Sequence, residues 1–212
     1  MFFKNRFEAG EKLADAVLTT NKKFDCVFGI PRGGIPVAAR ISNRLGIPLR
    51  TIVAKKIGHP EYPEYAIGAV CVDEMIVEPD FQKTYSGYIQ SEYKRLQNEV
   101  LSRARYQQVN PNKADVKAKS ILLVDDGAAT GYTLLAAIRA LKKMEVGALV
   151  VSVPVLPRNT ADKIRREAEL VCLEEALYFN AVGNFYEEFD QVSDVVVESL
   201  LTKQIEKSSK NN

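Results

Sequence analysis

The sequence predicts a doubly wound α/β fold on a mainly parallel sheet. Apolar runs without alternation, such as Ile121 to Val124 and Cys26 to Ile30, fit strands covered on both faces. Stretches with helical spacing separate these runs, and the two kinds of segment take turns along the chain. With 212 residues, 46% of them hydrophobic, the chain has enough apolar surface for one sizeable core, so 1–212 is read as a single domain with room for a subdomain.

In chain order, Phe7 to Leu18 predicts a helix, because Phe7, Leu13, Ala14, Val17 and Leu18 can share a face. Cys26 to Ile30 predicts a strand, broken by Pro31, Arg32, Gly33 and Gly34. Val37, Ala38, Ile41 and Leu45 restart a helical pattern that Gly46 and Pro48 end. Leu49 to Lys56 reads as the next strand, giving a β-α-β unit expected to be parallel and right-handed. Ala66 to Val72 and Met75 to Val77 predict two short strands turned at Asp73 and Glu74. Gln90 to Gln107, polar and rich in Arg and Lys, predicts a solvated helix. Beyond Val124, the spacing of Leu134, Leu135, Ile138 and Leu141 is helical. Ala148 to Val153 then reads as a strand, Asn159 to Ala168 as a helix and Leu170 to Leu173 as the last strand. The basic end, KQIEKSSKNN, predicts a frayed terminus.

Composition narrows the functional classes. The 29 basic and 27 acidic residues leave a net charge of +2, too little field for a nucleic-acid partner. Cys26, Cys71 and Cys172 lie far apart without C-x-x-C spacing, which suits buried thiols in a reducing cytosol and neither a disulfide framework nor a zinc site. The opening MFFKNRFEAGEK is too charged for a signal peptide, and no apolar run approaches the roughly 18 residues of a membrane span. A soluble cytoplasmic protein without a membrane partner is expected.

The most informative run is ILLVDDGAATGYT, from Ile121 to Thr133. Asp125 and Asp126 mark where the strand leaves the core, the edge at which open α/β sheets bind ligands. Gly127, Ala128, Ala129 and Gly131 let backbone N–H groups approach an anion closely, and Thr130 and Thr133 add hydroxyl donors. The loop opens onto a helix N-terminus, which favours phosphate. Carboxylates repel phosphate, so the two aspartates need a different partner. Adjacent ribose hydroxyls can each donate to one, and a sugar phosphate satisfies both halves of the motif.

FGIPRGG repeats this logic at another strand end, where Gly33 and Gly34 permit close backbone approach and Arg32 offers a forked guanidinium to phosphate oxygens. Lys55 and Lys56 close the next predicted strand toward the same edge, and alternation requires only one of them to reach the site. His59, the only histidine, lies in GHPEYPEY. A proton-donating role is open to it, as is a plain surface position. Tyr62, Glu64 and Tyr65 of that loop are candidates for closing over a ligand. The stretch Tyr178 to Asp190, YFNAVGNFYEEFD, offers aromatics that can stack on a flat base; for Phe179, Phe185 and Phe189 core packing is the stronger expectation.

VDDGAATGYT resembles the phosphoribosyl-diphosphate (PRPP) signature of the type I phosphoribosyltransferases. The resemblance implies that Asp125 and Asp126 bind the ribose hydroxyls, that the loop from Ala128 through Ala129, Thr130, Gly131 and Tyr132 to Thr133 wraps the 5′-phosphate, and that Gly127 belongs to the same PRPP site. It also makes Arg32, Gly33 and Gly34 the diphosphate loop, with a non-proline cis peptide near Pro31 and Arg32, and sets Lys55 or Lys56 against diphosphate. Family members acting on 6-oxopurines carry an aspartate near the base N7 where this chain has Ala129, whereas adenine and orotate members commonly carry alanine. NAVGNFY resembles the hood region that holds the base, pointing to Phe179, Ala181, Val182 and Gly183. A lid insertion at about 57–112 and a C-terminal hood at about 174–192 follow from the same resemblance. So does transfer of a phosphoribosyl group from PRPP to a nucleobase-like acceptor, with Mg²⁺ as cofactor, and a homodimer, since relatives are often dimers. Two other classes share the signature. A PRPP-binding regulator would lack transferase activity, and a PRPP-synthesising diphosphokinase would need a longer, two-lobed chain.

Overall fold

The computed structural model describes residues 2–106, 111 and 113–210. Five strands make a parallel sheet: β1 (Cys26–Gly29), β2 (Leu49–Thr51), β6 (Ser120–Val124), β7 (Ala148–Pro157) and β8 (Glu169–Ala176), in the order β2-β1-β6-β7-β8. A smaller antiparallel sheet holds β3 (Ala54–Gly58), β4 (Ala66–Cys71) and β5 (Glu74–Val77) in chain order. Helices α1 (Arg6–Thr19), α2 (Gly34–Leu45) and α8 (Asp194–Lys210) pack on one face of the large sheet, and α6 (Tyr132–Lys143) and α7 (Arg158–Arg165) on the other. The small sheet carries α3 (Pro79–Thr84) and α4 (Ser86–Tyr106), and α5 (Lys113–Val116) leads back into β6.

β6 shows why its apolar run does not alternate. Ile121 and Leu123 enter the core shared with α6 and α7, while Leu122 and Val124 enter the core shared with α1 and α2. All four side chains are fully buried, as a parallel strand covered on both faces requires. The first helix is fixed by its cap, since Asn5 Oδ1 accepts from the N–H groups of Phe7 and Glu8 at 3.1 Å each.

Three sequence expectations need correction. The run Leu49 to Lys56 is not one strand: β2 ends at Thr51, and β3 starts at Ala54 in the other sheet. Ile52 and Ala54 both sit in the core between the sheets, so the apolar pattern stays unbroken while the backbone turns away. The polar helix is not fully solvated either. Ile89, Leu96 and Val100 of α4 form a buried stripe against the small sheet, at the seven- and four-residue spacing of one helix face. Gln107, its expected end, lies outside the described residues. The C-terminal stretch is helical through Lys210 rather than frayed; α8 docks by Val197, Leu200 and Leu201, and Ser193 Oγ accepts from the Val196 N–H. Asn211 and Asn212 lie outside the described residues.

No helix among the described residues is long and apolar enough to cross a membrane. The three cysteines are free thiols, and Cys26 and Cys71 are buried while Cys172 is half-buried. In chemical denaturation, Leu123→Ala should cost about 2–5 kcal/mol through cavity formation in the central strand, and Asn5→Ala about 1 kcal/mol through the lost cap.

Candidate active site

The strand order reverses between β1 and β6. The helix after β1 covers one face of the sheet and the helix after β6 the other, so the two connecting loops splay apart at the carboxyl edge. A cavity of about 480 Å³ opens there, lined by both loops together with Arg6, Ala54, Phe189, Gln191 and Val192.

Asp125 and Asp126 stand at its floor. Asp125 is buried, and its Oδ1 accepts from the Asp126 N–H at 2.9 Å. Arg6, the first residue of α1, donates from Nε to Asp126 Oδ2 at 2.7 Å and from Nη1 to the Asp190 carbonyl at 2.8 Å. The side chains of this ion pair are only 11% and 14% exposed, so the pair is sheltered from solvent screening. Burial pushes the Asp125 carboxyl well above its ordinary value, and the Asp126 charge pushes it further. Burial also raises Asp126, against the pull of the Arg6 guanidinium. The Tyr186 hydroxyl, held protonated by burial and the nearby Asp126 charge, donates to the Asp126 carbonyl at 2.6 Å.

The loop after Asp126 has the form of an anion cradle. The Ala128 N–H is taken by the Val155 carbonyl at 3.1 Å. Among the described residues, the N–H groups of Ala129, Thr130, Gly131 and Tyr132 donate to no backbone carbonyl. Gly131 holds φ at +78°, a left-handed conformation that lets the chain turn into α6, and Thr160 Oγ1 braces the loop by donating to the Ala129 carbonyl at 2.6 Å. Thr133 lines the cavity. Tyr132 turns the other way and donates to Glu78 Oε2 at 3.0 Å, tying the loop to the small sheet; burial and the Glu78 carboxylate raise its phenol.

The opposing loop closes tightly on this floor. A methyl group at Gly33 would lie 2.1 Å from Asp126 Oδ2, and one at Gly34 would lie 2.8 Å from the Val124 carbonyl. Gly34 donates its own N–H to the Ile30 carbonyl, so it contributes close packing to the site. The Pro31–Arg32 peptide is cis, and the Arg32 side chain borders the cavity 4.0 Å from Asp194.

Other candidate residues lie elsewhere. Lys55 pairs with Glu99 at 3.4 Å and Lys56 with Glu64 at 2.8 Å, and neither lines the cavity. Their strand belongs to the small sheet, which explains the altered direction. His59 is neither a surface residue nor a cavity residue; it is buried edge-on against Phe81 and Tyr85, with Nδ1 accepting from the Glu61 N–H. Tyr62 and Tyr65 are exposed. Phe179 stacks on Phe185, and Val182 packs in the same cluster. Ala181 and Gly183 flank Val182 and, like it, lie outside the cavity lining. Phe189, expected in the core, instead lines the cavity under Arg6.

Arg6 escaped the sequence reading. The available signal was an arginine directly after a capping Asn, inside the aromatic-rich FFKNRF. Among the described residues no group of three or more His, Cys, Asp or Glu could hold a metal ion. The aspartate pair supplies two hard oxygen donors, which suits Mg²⁺ arriving on a substrate's phosphates.

Comparison with known proteins agrees with this geometry. In two Mycobacterium tuberculosis strains, CDC 1551 and H37Rv, a protein named "Putative phosphoribosyl transferase" is 32% identical over 206 residues, covering 95% of this chain and 46% of the relative. The chain thus spans about half the length of the curated relatives it matches. The crystal structure of TT1426 from Thermus thermophilus is 35% identical, covers 96% of this chain and 99% of its own, and superposes with a TM-score of 0.79. A Neisseria gonorrhoeae hypothetical protein with bound ppGpp, 13% identical with full coverage of this chain and 99% of its own, has a TM-score of 0.51 and shares the fold alone. The family model for the phosphoribosyl transferase domain matches residues 3–183, and the chain belongs to that family, the type I phosphoribosyltransferases.

Proposed function

We propose that the protein transfers the 5-phosphoribosyl group of PRPP to a nitrogenous base and releases diphosphate. The observation that carries this reading is the solvent-sheltered Asp125–Asp126 pair, set between the backbone N–H groups of Ala129 to Tyr132 and the Arg32–Gly33 loop.

The ribose hydroxyls donate to the two carboxylates, which fixes the sugar over the floor. The 5′-phosphate takes the free N–H groups of Ala129 to Tyr132, the hydroxyls of Thr130 and Thr133 and the positive end of α6. Diphosphate then extends toward Arg32 and the Gly33 backbone. As the C1–O bond breaks, the electron pair leaves with diphosphate, and the base nitrogen forms the new bond to C1 and loses its proton. The aspartate charges stabilise the positive charge developing on the sugar. Asp125 and Asp126 are the carboxylates that would face Mg²⁺ arriving with the substrate, and the ion would supply neutralisation of leaving-group charge when bound. The insertion at about 57–112, linked to the cradle through Glu78 and Tyr132, closes over the site and excludes water.

Asp126→Asn and Arg32→Ala should each lower the rate of diphosphate release about 10²–10³-fold, far more than they lower stability. Wild-type rates in both would rule out the assignment. PRPP binding with no diphosphate released for any base would mark a PRPP-responsive regulator instead.

Asp125→Asn should do something different. A carboxyl whose folded value is raised binds more protons folded than unfolded, so its contribution to stability is present below the ordinary aspartate value of 3.8 and is lost as pH rises through the raised value. Above the ordinary aspartate value the burial of this carboxyl therefore opposes folding. The amide keeps an oxygen for the Asp126 N–H, so urea denaturation should find the variant more stable than wild type at pH 7, with the gap shrinking in acid. The same variant should lose PRPP binding.

A further inference from the structure

The first turn of α6 begins without a side-chain cap. Its N-cap residue is Gly131, which has no side chain to hold the exposed N–H groups in line. The Leu135 N–H closes the turn by donating to the Gly131 carbonyl at 2.9 Å, and Thr160 braces the preceding loop on one side, at the Ala129 carbonyl. Tyr132, the first residue of the helix, steadies the other side.

Tyr132 is buried in the core between the two sheets, with the Lys163 ammonium 5.4 Å from its ring centre. Its hydroxyl donates to Glu78 Oε2 at 3.0 Å. Glu78 is itself anchored, because its N–H donates to the Ile67 carbonyl of β4 at 2.9 Å. It stands at the N-cap of α3, yet its carboxylate does not cap that helix and takes the Tyr132 hydroxyl instead. A second tie lies at the far end of α6, where Lys143 Nζ meets Glu74 Oε1 at 2.8 Å. Glu74 begins β5 and Glu78 follows its end, whereas Tyr132 begins α6 and Lys143 ends it. The strand therefore lies along the helix in the opposite direction, tied at both ends. The two ties differ in place: the Lys143 pair is exposed and remote, and the Tyr132 bond is partly buried one residue from Gly131.

We propose that Glu78 is a positioning residue for the cradle: by accepting from the Tyr132 hydroxyl it fixes the first turn of α6 in the shape that receives a 5′-phosphate, so that the small sheet sets the affinity of the phosphate site. This inference rests on the sugar-phosphate reading above. The Tyr132 N–H is one of the cradle donors that make no bond to a backbone carbonyl, and it belongs to the same residue as the bonded hydroxyl. A side chain held at its tip and packed along its length keeps its own backbone from turning. An anion then meets donors already in line, and less of its binding energy goes into ordering them. What Glu78 supplies to Tyr132 is an acceptor oxygen, which a neutral amide supplies as well.

The test measures ribose 5-phosphate binding to the full chain by calorimetry, with the melting temperature of each variant read alongside. Wild-type binding comes first, because its absence overturns the sugar-phosphate reading itself and this inference with it. In Tyr132→Phe and in Glu78→Ala the Kd should rise about 5–20-fold. Glu78→Gln, which keeps an acceptor oxygen, should stay within about threefold of wild type. Tyr132→Phe combined with Glu78→Ala should bind no more weakly than the weaker single variant, because the two groups act as one unit. Lys143→Ala cuts the remote tie and should leave the Kd unchanged. Given wild-type binding, four results would overturn the positioning role alone: an unchanged Kd in Tyr132→Phe, whether or not melting falls; a loss in Glu78→Gln equal to that in Glu78→Ala; additive losses in the double variant; or an equal loss in Lys143→Ala. Tyr132→Phe removes one oxygen and leaves the ring in place, so it decides the matter even where Glu78→Ala fails to fold.

Discussion

Two carboxylates side by side at the buried end of a strand repel each other and are poorly solvated, and the site is organised around that constraint. Among the described residues, the Asp126 carboxylate takes one guanidinium, from Arg6, and the Asp125 carboxylate takes one backbone N–H, from Asp126. A buried pair of like charges is a poor choice for stability alone. It becomes intelligible under the proposed function, in which the missing partners are the hydroxyls of a sugar. Gly33, pressed against Asp126, and Tyr186, donating to its carbonyl, hold the pair in place without neutralising it.

The distant parts of the chain meet for the same reason. β1 and β6 are adjacent in the sheet, but their following helices leave to opposite faces, and the gap between them is the cavity. Each loop there is small-residue chain turned toward the other. The third wall comes from residues 3–6 and 185–192, joined by backbone hydrogen bonds, so the first helix and the last loop both belong to the site. Tyr132 links the loop after Asp126 to the small sheet through Glu78.

The parallel sheet and its helices were legible because a strand buried on both faces carries an uninterrupted apolar run, and Cys26 to Ile30 and Ile121 to Val124 do so. The acid pair and its glycine-rich loop were legible because they combine chemistry with a strand end. Less could be read where one apolar run serves two sheets. Nothing in Leu49 to Lys56 marks the bend at Ile52 and Val53, so Lys55 and Lys56 were expected toward the ligand and instead pair with Glu99 of α4 and Glu64 of the loop between β3 and β4. The N-terminal contribution was invisible for another reason. Arg6 meets Asp126 across 120 residues, and local pattern holds no trace of so distant a pairing. The same holds for Phe189: an aromatic in a mixed segment reads as core until its neighbours are known.

The central claim is that Asp125 and Asp126 hold a pentose while the N–H groups of Ala129 to Tyr132 hold its 5′-phosphate. A crystal structure of the protein with ribose 5-phosphate or Mg-PRPP tests this most directly. The account predicts the 2′ and 3′ oxygens within hydrogen-bond distance of the two carboxylates and the phosphate seated at the start of α6. A sugar bound with its hydroxyls turned away from Asp125 and Asp126, or a phosphate seated outside the cradle, would contradict it.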